Sequence, residues 1–312
     1  MKILFTGASS FTGYWFVKRL TDEGFDVTCT FTRQHENDYD GIRKLRILGL
    51  LQRITPVWGC SFGDPAFLEL LKNGYSLLCH HAADVTNYKS QDFDIPSALQ
   101  KNTQNIAKVL EAMNAHGCNT ILLTGSVFEN EEGAGSLPLK AFSPYGLSKS
   151  FTSQSMAYYC ESLKIKLGKF VIPNPFGPFE DPRFTAYLVK SWFAKTTPAV
   201  KTPAYVRDNI PVDLLAHAYL DFLNKRMESE TNFMKFNPSG YIESQGTFAR
   251  RVAGELSMRF GFPCDVELQE QKSFPEPQIR INTDPVISKY GWRESKAWDE
   301  LAEFYKTYAH YL

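Results

Sequence analysis

No charge of one sign dominates this chain: 34 basic residues stand against 34 acidic ones over 312 positions. That balance leaves no electrostatic footprint for nucleic acid or an anionic membrane, so a small molecule is the expected partner. Long apolar runs are missing too. Nowhere do about 18 apolar residues follow one another, which speaks against a membrane-spanning helix. Before Gly7 the apolar run is only Ile3, Leu4 and Phe5, too short for the hydrophobic part of a secretion signal. Cysteine is sparse, with Cys29, Cys60, Cys79, Cys118, Cys160 and Cys264 scattered and neither a CxxC pair nor a metal-ligand spacing among them. Reduced thiols in a cytoplasmic protein, and no metal, are therefore expected. Repeats and low-complexity tracts are absent as well. A hydrophobic fraction of 43% with 22% charged residues leaves ample material for a core and excludes disorder.

What is present in the first half is an alternation of short apolar runs with longer helical stretches, the pattern of an α/β protein with a parallel sheet covered on both faces. Strands are predicted at 2–6, 26–31, 54–58, 76–80, 120–124 and 168–172, with helices such as 102–115 and 144–163 between them. After Asn174 prolines cluster and the alternation breaks down. A dinucleotide-type domain over 1–173, to which 207–235 returns, and a smaller region over 174–312 are the expected organisation. Within the latter, 297–310 has helical spacing and 263–281 reads as a strand or loop over a site.

The first strand runs directly into Thr6-Gly7-Ala8-Ser9-Ser10-Phe11-Thr12-Gly13 and then into a helix with apolar Trp15, Phe16, Val17 and Leu20. A turn without bulk lets backbone N–H groups and the helix N-terminus approach a pyrophosphate, whose charge the helix dipole favours. Glycines also serve ordinary turns, but the strand before and the helix after favour a phosphate cradle. At the end of the second strand such a fold holds either a free ribose hydroxyl with a carboxylate or a 2′-phosphate with a cation. Here Thr30-Phe31-Thr32-Arg33 offers no carboxylate. Arg33 can fork onto a phosphate with Thr32 beside it, so NADP(H) is favoured and NAD(H) is the alternative.

Tyr145 and Lys149 stand at i,i+4 behind Pro144, a residue suited to the first turn of a helix, so both side chains share a face. Ionising a tyrosine at neutral pH costs about 4 kcal/mol, which a nearby ammonium and an oxidised nicotinamide can largely supply. The phenol then becomes a proton donor or acceptor. An exposed helix pair is the plainer explanation of a lone YxxxK. Its position about 20 residues after the strand that ends Leu123-Thr124-Gly125-Ser126 argues against that explanation.

Together, the spacing of Gly7, Ser10 and Gly13, the Thr124 strand and the Tyr145/Lys149 pair resemble the extended short-chain dehydrogenase/reductase family of nucleotide-sugar epimerases, dehydratases and reductases, with Ser10 in place of the middle glycine of TGxxGxxG. The resemblance is strongest over 1–213 and implies a Rossmann-type doubly wound parallel sheet with a smaller C-terminal substrate-binding domain. It assigns Thr124, Tyr145 and Lys149 to catalysis, Ser126 being the alternative hydroxyl. Gly7, Ser10, Phe11, Thr12, Gly13, Thr32, Arg33, Cys60, Ser61, His81, Ala82, Ala83, Asn102, Lys149 and Ile172 then fall on the cofactor. His80-His81-Ala82-Ala83 matches the fourth-strand end under the cofactor, and a buried histidine there is more often a packing residue than a catalyst. Asn174, in Pro173-Asn174-Pro175, and Arg207, in the later Arg207-Asp208 segment, match substrate contacts, Arg207 with a diphosphate unless it pairs internally with Asp208 or Asp213. Lys272 or Arg280 is the second phosphate contact.

Family dehydratases follow the strand-five hydroxyl with acidic residues, whereas Gly125 and Ser126 follow Thr124. An NADP(H)-dependent ketoreductase or dehydrogenase of a nucleoside-diphosphate sugar is thus the leading expectation, and an NAD-dependent 4-epimerase the runner-up. An enzyme for a non-nucleotide carbonyl and a non-catalytic dinucleotide-binding module are the further alternatives. By family analogy the helices holding Asn102 and Tyr145 form a homodimer.

Overall fold

The runs Lys2–Thr6, Leu77–His80, Thr120–Ser126 and Lys166–Ile172 become strands buried along almost their whole length. In the computed structural model, which describes residues 1–308, they join three more strands in one seven-stranded sheet. Their order is Phe233–Phe236, Lys166–Ile172, Thr120–Ser126, Leu77–His80, Lys2–Thr6, Asp26–Thr30 and Thr55–Val57. Every neighbouring pair is parallel. Parallel neighbours need crossovers, and helices such as Phe11–Asp22, Pro65–Leu71 and Ile106–Ala115 supply them. This is a Rossmann-type doubly wound sheet.

The winding reverses between Lys2–Thr6 and Leu77–His80, which are paired with Thr6 opposite His80. Beyond the carboxyl ends of two such strands the chain diverges to opposite sides and leaves a crevice. Gly7 and His81 are the next residues on either side of it.

Two differences from the sequence expectation have local causes. The seventh strand, Phe233–Phe236, is an edge strand whose Phe233 is half exposed, so it lacks the continuous apolar signal of the strands at the centre of the sheet. The helix predicted over 102–115 begins only at Ile106 and runs to Ala115, while Asn102 is the last residue of a separate preceding helix, Ile95–Asn102. Between them Asn105 takes a left-handed φ of 51° and donates its amide to the Gly63 carbonyl at 2.8 Å. Asparagine tolerates that backbone better than most residues.

The sheet and its helices belong to a unit made of Met1–Glu132, Lys140–Ile172 and Ala216–Asn237. One part of its core collects Leu4, Leu78, Ile121 and Leu167 from four strands with Phe67, Leu110, Met113 and Met156 from three helices. A second unit contains Gly133–Leu139, Pro173–Leu215 and the chain from Pro238 onward. Its sheet runs Tyr241–Ser244, Val206–Pro211, Ile279–Ile281, Ala134–Gly135, with Asn174–Phe176 also paired to Val206–Pro211. The 263–281 stretch thus supplies a strand here, and the terminal helical spacing becomes helix Glu294–Tyr308, while His310 lies outside the described residues. Phe176 packs against Phe248 and Trp298 at its centre. No helix among the described residues is long and apolar enough to cross a membrane.

Candidate active site

The glycine loop is shaped by two contacts that exclude side chains. A Cβ on Gly7, whose φ is +85°, would sit 2.8 Å from the Ala82 nitrogen, and one on Gly13 would sit 2.2 Å from the Gly7 carbonyl oxygen. Ser10 fits the middle position because its hydroxyl folds into the loop. It donates to the Gly7 carbonyl at 2.8 Å and accepts from the Gly13 N–H at 3.1 Å, capping helix Phe11–Asp22. Such a cap is worth about 1 kcal/mol. Phe11 is buried and Thr12 half-buried at the start of the helix, where backbone N–H groups and the helix dipole favour an anion. The cradle therefore fits a dinucleotide pyrophosphate.

At the end of the second strand Thr32 and Arg33 are exposed. The Arg33 guanidinium lies 4.8 Å over the Tyr39 ring, and no carboxylate among the described residues pairs with it. Cys60 is buried, and burial pushes its thiol up to about 12, so it is an inert packing group. The Ser61 N–H is taken by the Asp64 carboxylate at 2.7 Å. Ala82 and Ala83 are half-buried beyond the fourth strand, and Ile172 closes its strand by accepting from the Val127 N–H at 3.0 Å.

Helix Pro144–Ser162 begins at Ser143, which accepts from the Gly146 N–H at 3.0 Å, with Pro144 in the first turn. Four residues on from Tyr145, the buried Lys149 donates to the Thr124 carbonyl at 2.6 Å. Helix and strand are thereby joined at the residues the sequence singles out. Burial pushes the Lys149 ammonium down to about 8; the Lys169 charge adds to this and Glu129 opposes it. The Tyr145 ring is held edge-on by Tyr88 and Phe93, at centroid distances of 5.5 and 6.0 Å.

Beside these residues lies a buried ionic cluster that sequence reasoning missed. Lys169, on strand Lys166–Ile172, contacts Glu129 and Glu132, each at 2.6 Å. Glu129 also accepts from the Ser126 N–H at 2.7 Å and from the Ser153 hydroxyl at 2.8 Å, tying the end of the Thr124 strand to the Tyr145 helix. Burial pulls the Lys169 ammonium down, and the two carboxylates more than reverse that, leaving it raised. Gly125 is required next to this cluster, since a Cβ there would come within 2.7 Å of Lys169 Cε and 3.1 Å of Glu129 Oε1. No acidic side chain fits at 125 without moving the pair.

The two histidines differ. His80 lies in the strand, with Nε2 donating to the Asn102 carbonyl at 3.0 Å and Nδ1 3.1 Å from the Thr6 hydroxyl, its ring stacked on Phe62. Asn102 accepts from the Asp84 N–H at 2.8 Å and donates to Thr152 at 3.3 Å, so it braces the loop after the fourth strand. His81 reaches the other way, to Ser10, Thr12 and Thr124. Burial first, then the Lys149 and His80 charges, push its imidazole down to about 3.

In the second unit Asn174 is half-buried, and its amide nitrogen has no hydrogen-bond partner among the described residues. Arg207 stacks on Tyr205 and pairs with Glu276 at 2.9 Å, while Nη1 donates to the carbonyls of Val206, Pro277 and Gln278. Its ion pair with Glu276 is internal to the second unit, with a residue the sequence reading did not name. Asp208 accepts from the Gly240 and Asn282 N–H groups, and the Asp213 carboxylate from the Trp292 indole. Lys272 is 79% exposed beside Glu270, whereas Arg280 is fully buried. No cluster of three His, Cys, Asp or Glu side chains among the described residues could hold a metal ion.

Residues 3–232 match the NAD dependent epimerase/dehydratase family. The chain belongs to that family. It is an extended short-chain dehydrogenase/reductase, and no curated protein matches it. Among solved structures, this family member is similar to the UDP-glucuronic acid 4-epimerase from Bacillus cereus in complex with UDP-glucuronic acid and NAD, with TM-score 0.73, 16% identity, and 98% and 99% of the two chains covered. The UDP-N-acetylglucosamine 4-epimerase from Methanobrevibacter ruminantium gives TM-score 0.72 at 16% identity over 98% of each chain. A dTDP-glucose 4,6-dehydratase from Streptomyces venezuelae with NAD bound gives 0.73 at 16% identity over 100% and 98%. At such identities the likeness is one of fold.

One further basic residue of this family member was hidden in the sequence. Arg46, fully buried on helix Gly41–Leu50, lies 3.4 Å from the Ser9 carbonyl and over the Phe11 ring, backing the glycine loop. An arginine among Arg43, Lys44 and Arg46 reads as one charge of a solvated face, so no sequence signal marks it.

Proposed function

We propose that this chain is an NADP(H)-dependent ketoreductase or dehydrogenase of a nucleoside-diphosphate sugar. The observation that carries the cofactor choice is Arg33, stacked on Tyr39 at a strand end without a carboxylate. A guanidinium over an aromatic ring and not paired with a carboxylate matches a 2′-phosphate, to which it can donate two parallel bonds. Bound in the glycine-loop crevice, the nicotinamide would supply or accept the hydride.

The rest of the chemistry falls to the chain's own side chains. In the reductive direction Tyr145 gives its phenolic proton to the keto oxygen while the Thr124 hydroxyl donates to the same atom. Lys149, a buried cation one helical turn from Tyr145, favours the phenolate that proton transfer leaves. The tight surroundings of Gly125 speak against 4,6-dehydration, which would need an acid and base there. Asn174, Arg207 and Lys272 remain substrate contacts on the family resemblance, and Arg207 would exchange Glu276 for a diphosphate. A homodimer through helices Ile95–Asn102, Ile106–Ala115 and Pro144–Ser162 is part of the reading, supported by exposed Phe151 and Tyr158 two turns apart. So is a cytoplasmic setting, in keeping with six free cysteines.

NAD-dependent 4-epimerisation is the second reading, favoured by the family match and by the NAD-bound UDP-sugar epimerase among the similar structures. Thermal melting decides between them, because a ligand that binds only the folded state raises its stability. Stronger stabilisation by NADPH than by NADH, and a further shift with one of UDP, GDP, CDP or dTDP, is the expected result. Preference for NAD, or its co-purification, moves the assignment to the epimerase. Tyr145→Phe should abolish turnover and leave cofactor affinity almost unchanged; full activity in this variant removes Tyr145 as the proton donor.

A further inference from the structure

Strand Leu77–His80 lies between Lys2–Thr6 and Thr120–Ser126, with His80 opposite both Thr6 and Leu123. The next residue of each strand is therefore Gly7, His81 or Thr124. His81 is 8% exposed, its ring in contact with Phe5 at 5.7 Å and edge-on to Phe16 at 5.3 Å. From that seat Nδ1 is 2.9 Å from the Thr124 hydroxyl, while Nε2 is 3.0 Å from Ser10 Oγ and 3.1 Å from Thr12 Oγ1.

We propose that His81 is a positioning residue for Thr124: its ring, anchored on the glycine-loop hydroxyls, holds the Thr124 hydroxyl and sets which way its proton points. The inference rests on the oxidoreductase reading above, in which Thr124 meets the reacting oxygen.

Hydrogen-bond accounting gives the ring two usable states. Imidazole with one N–H donates at one nitrogen and accepts at the other. The Ser10 proton is committed to the Gly7 carbonyl, so toward His81 Ser10 can only accept, whereas Thr12 can donate or accept. With the proton on Nδ1, His81 donates to Thr124 and accepts from Thr12. The Thr124 O–H is then free to be given to a ketone oxygen. With the proton on Nε2, His81 donates to the loop hydroxyls and accepts from Thr124, whose lone pairs then meet a substrate hydroxyl. The same ring thus serves both directions of a ketone/alcohol interconversion. Lys149 holds the Thr124 carbonyl at the same time, so the carbonyl and the hydroxyl of that residue are both held. An aliphatic side chain at 81 would leave the hydroxyl to rotate.

The test uses His81→Leu, His81→Asn and His81→Gln, each in wild-type and Thr124→Val backgrounds. The probes are UDP-glucose, UDP-glucuronic acid, UDP-N-acetylglucosamine and dTDP-glucose with NADP⁺ or NAD⁺, followed by nicotinamide absorbance. An Asn amide reaches the Nδ1 position and a Gln amide the Nε2 position. His81→Leu is expected to lower kcat by about 10- to 100-fold, a fraction of what losing an oxyanion donor costs, with little change in KM. His81→Asn should recover most of kcat; His81→Gln should not, but should keep cofactor affinity. In the Thr124→Val background His81→Leu should cause no further loss. A loss that multiplies in that background, or no difference between Asn and Gln, overturns the proposal. Full turnover by Thr124→Val alone would instead overturn the catalytic reading. A readout that needs no substrate is the ¹⁵N spectrum of the folded protein with NADPH bound. Thr124→Val should move the His81 ring nitrogens and spare those of His80; unchanged His81 signals refute the link.

Discussion

The Lys149 ammonium and the Thr124 carbonyl oxygen are 2.6 Å apart although 25 residues separate them in the chain. This contact fixes the helix that carries Tyr145 against the strand that carries Thr124. It also places a cation where solvent cannot reach it, which is why the ammonium is pushed down to about 8 from its usual 10.5.

That burial makes the pH behaviour testable. A lysine with a lowered folded pKa costs the folded state while charged. The cost is fully present below about 8 and fades as pH rises from 8 to 10.5, where the unfolded chain binds more protons. Activity should move the opposite way, with kcat/KM falling as pH rises through about 8 and Lys149 loses its charge. Lys149→Met should lose about 100-fold or more in turnover. It should melt no lower than wild type at neutral pH, the two curves converging at alkaline pH. A lower neutral melting temperature would mean that the bond to Thr124 outweighs the burial of the charge.

Arg33→Ala should weaken NADPH binding by about 10- to 100-fold, the loss of a charge-assisted hydrogen bond, and leave NADH binding within about twofold. Fluorescence titration of both reduced cofactors measures the ratio. Equal loss for both would mean that Arg33 contacts adenine or nothing at all, and that the 2′-phosphate has no special place.

Gly125→Asp should destabilise the fold by about 1–3 kcal/mol, because the new side chain meets Lys169 and adds a carboxylate beside Glu129. Gly125→Ala should cost less. Thermal or urea unfolding of the two variants separates crowding from charge. An Asp variant as stable as wild type would show that the cluster can open to accept an acid there.

Much of the candidate site's geometry was legible because its signals are local. The turn from strand to helix at Gly7–Gly13 and the i,i+4 pair Tyr145 and Lys149 are short-range regularities, and they declare themselves in any stretch of sequence that holds them. Edge strand Phe233–Phe236 was not legible, since a half-exposed strand has no apolar run. The break at Asn105 was also hidden, because a left-handed residue inside a helical pattern is chosen by its bond to Gly63.

Sequence by itself thus determined the doubly wound class, the strand-to-helix turn at Gly7–Gly13 and the placing of Tyr145 and Lys149 on one helix face, since these follow from periodicity and from the reach of one helical turn. Tertiary structure alone decided what surrounds them. His81 meets Thr124 across 43 residues and Ser10 across 71, and Lys169 meets Glu129 across 40. Such pairings are set by which strands lie side by side in the sheet, and no local spacing encodes that order.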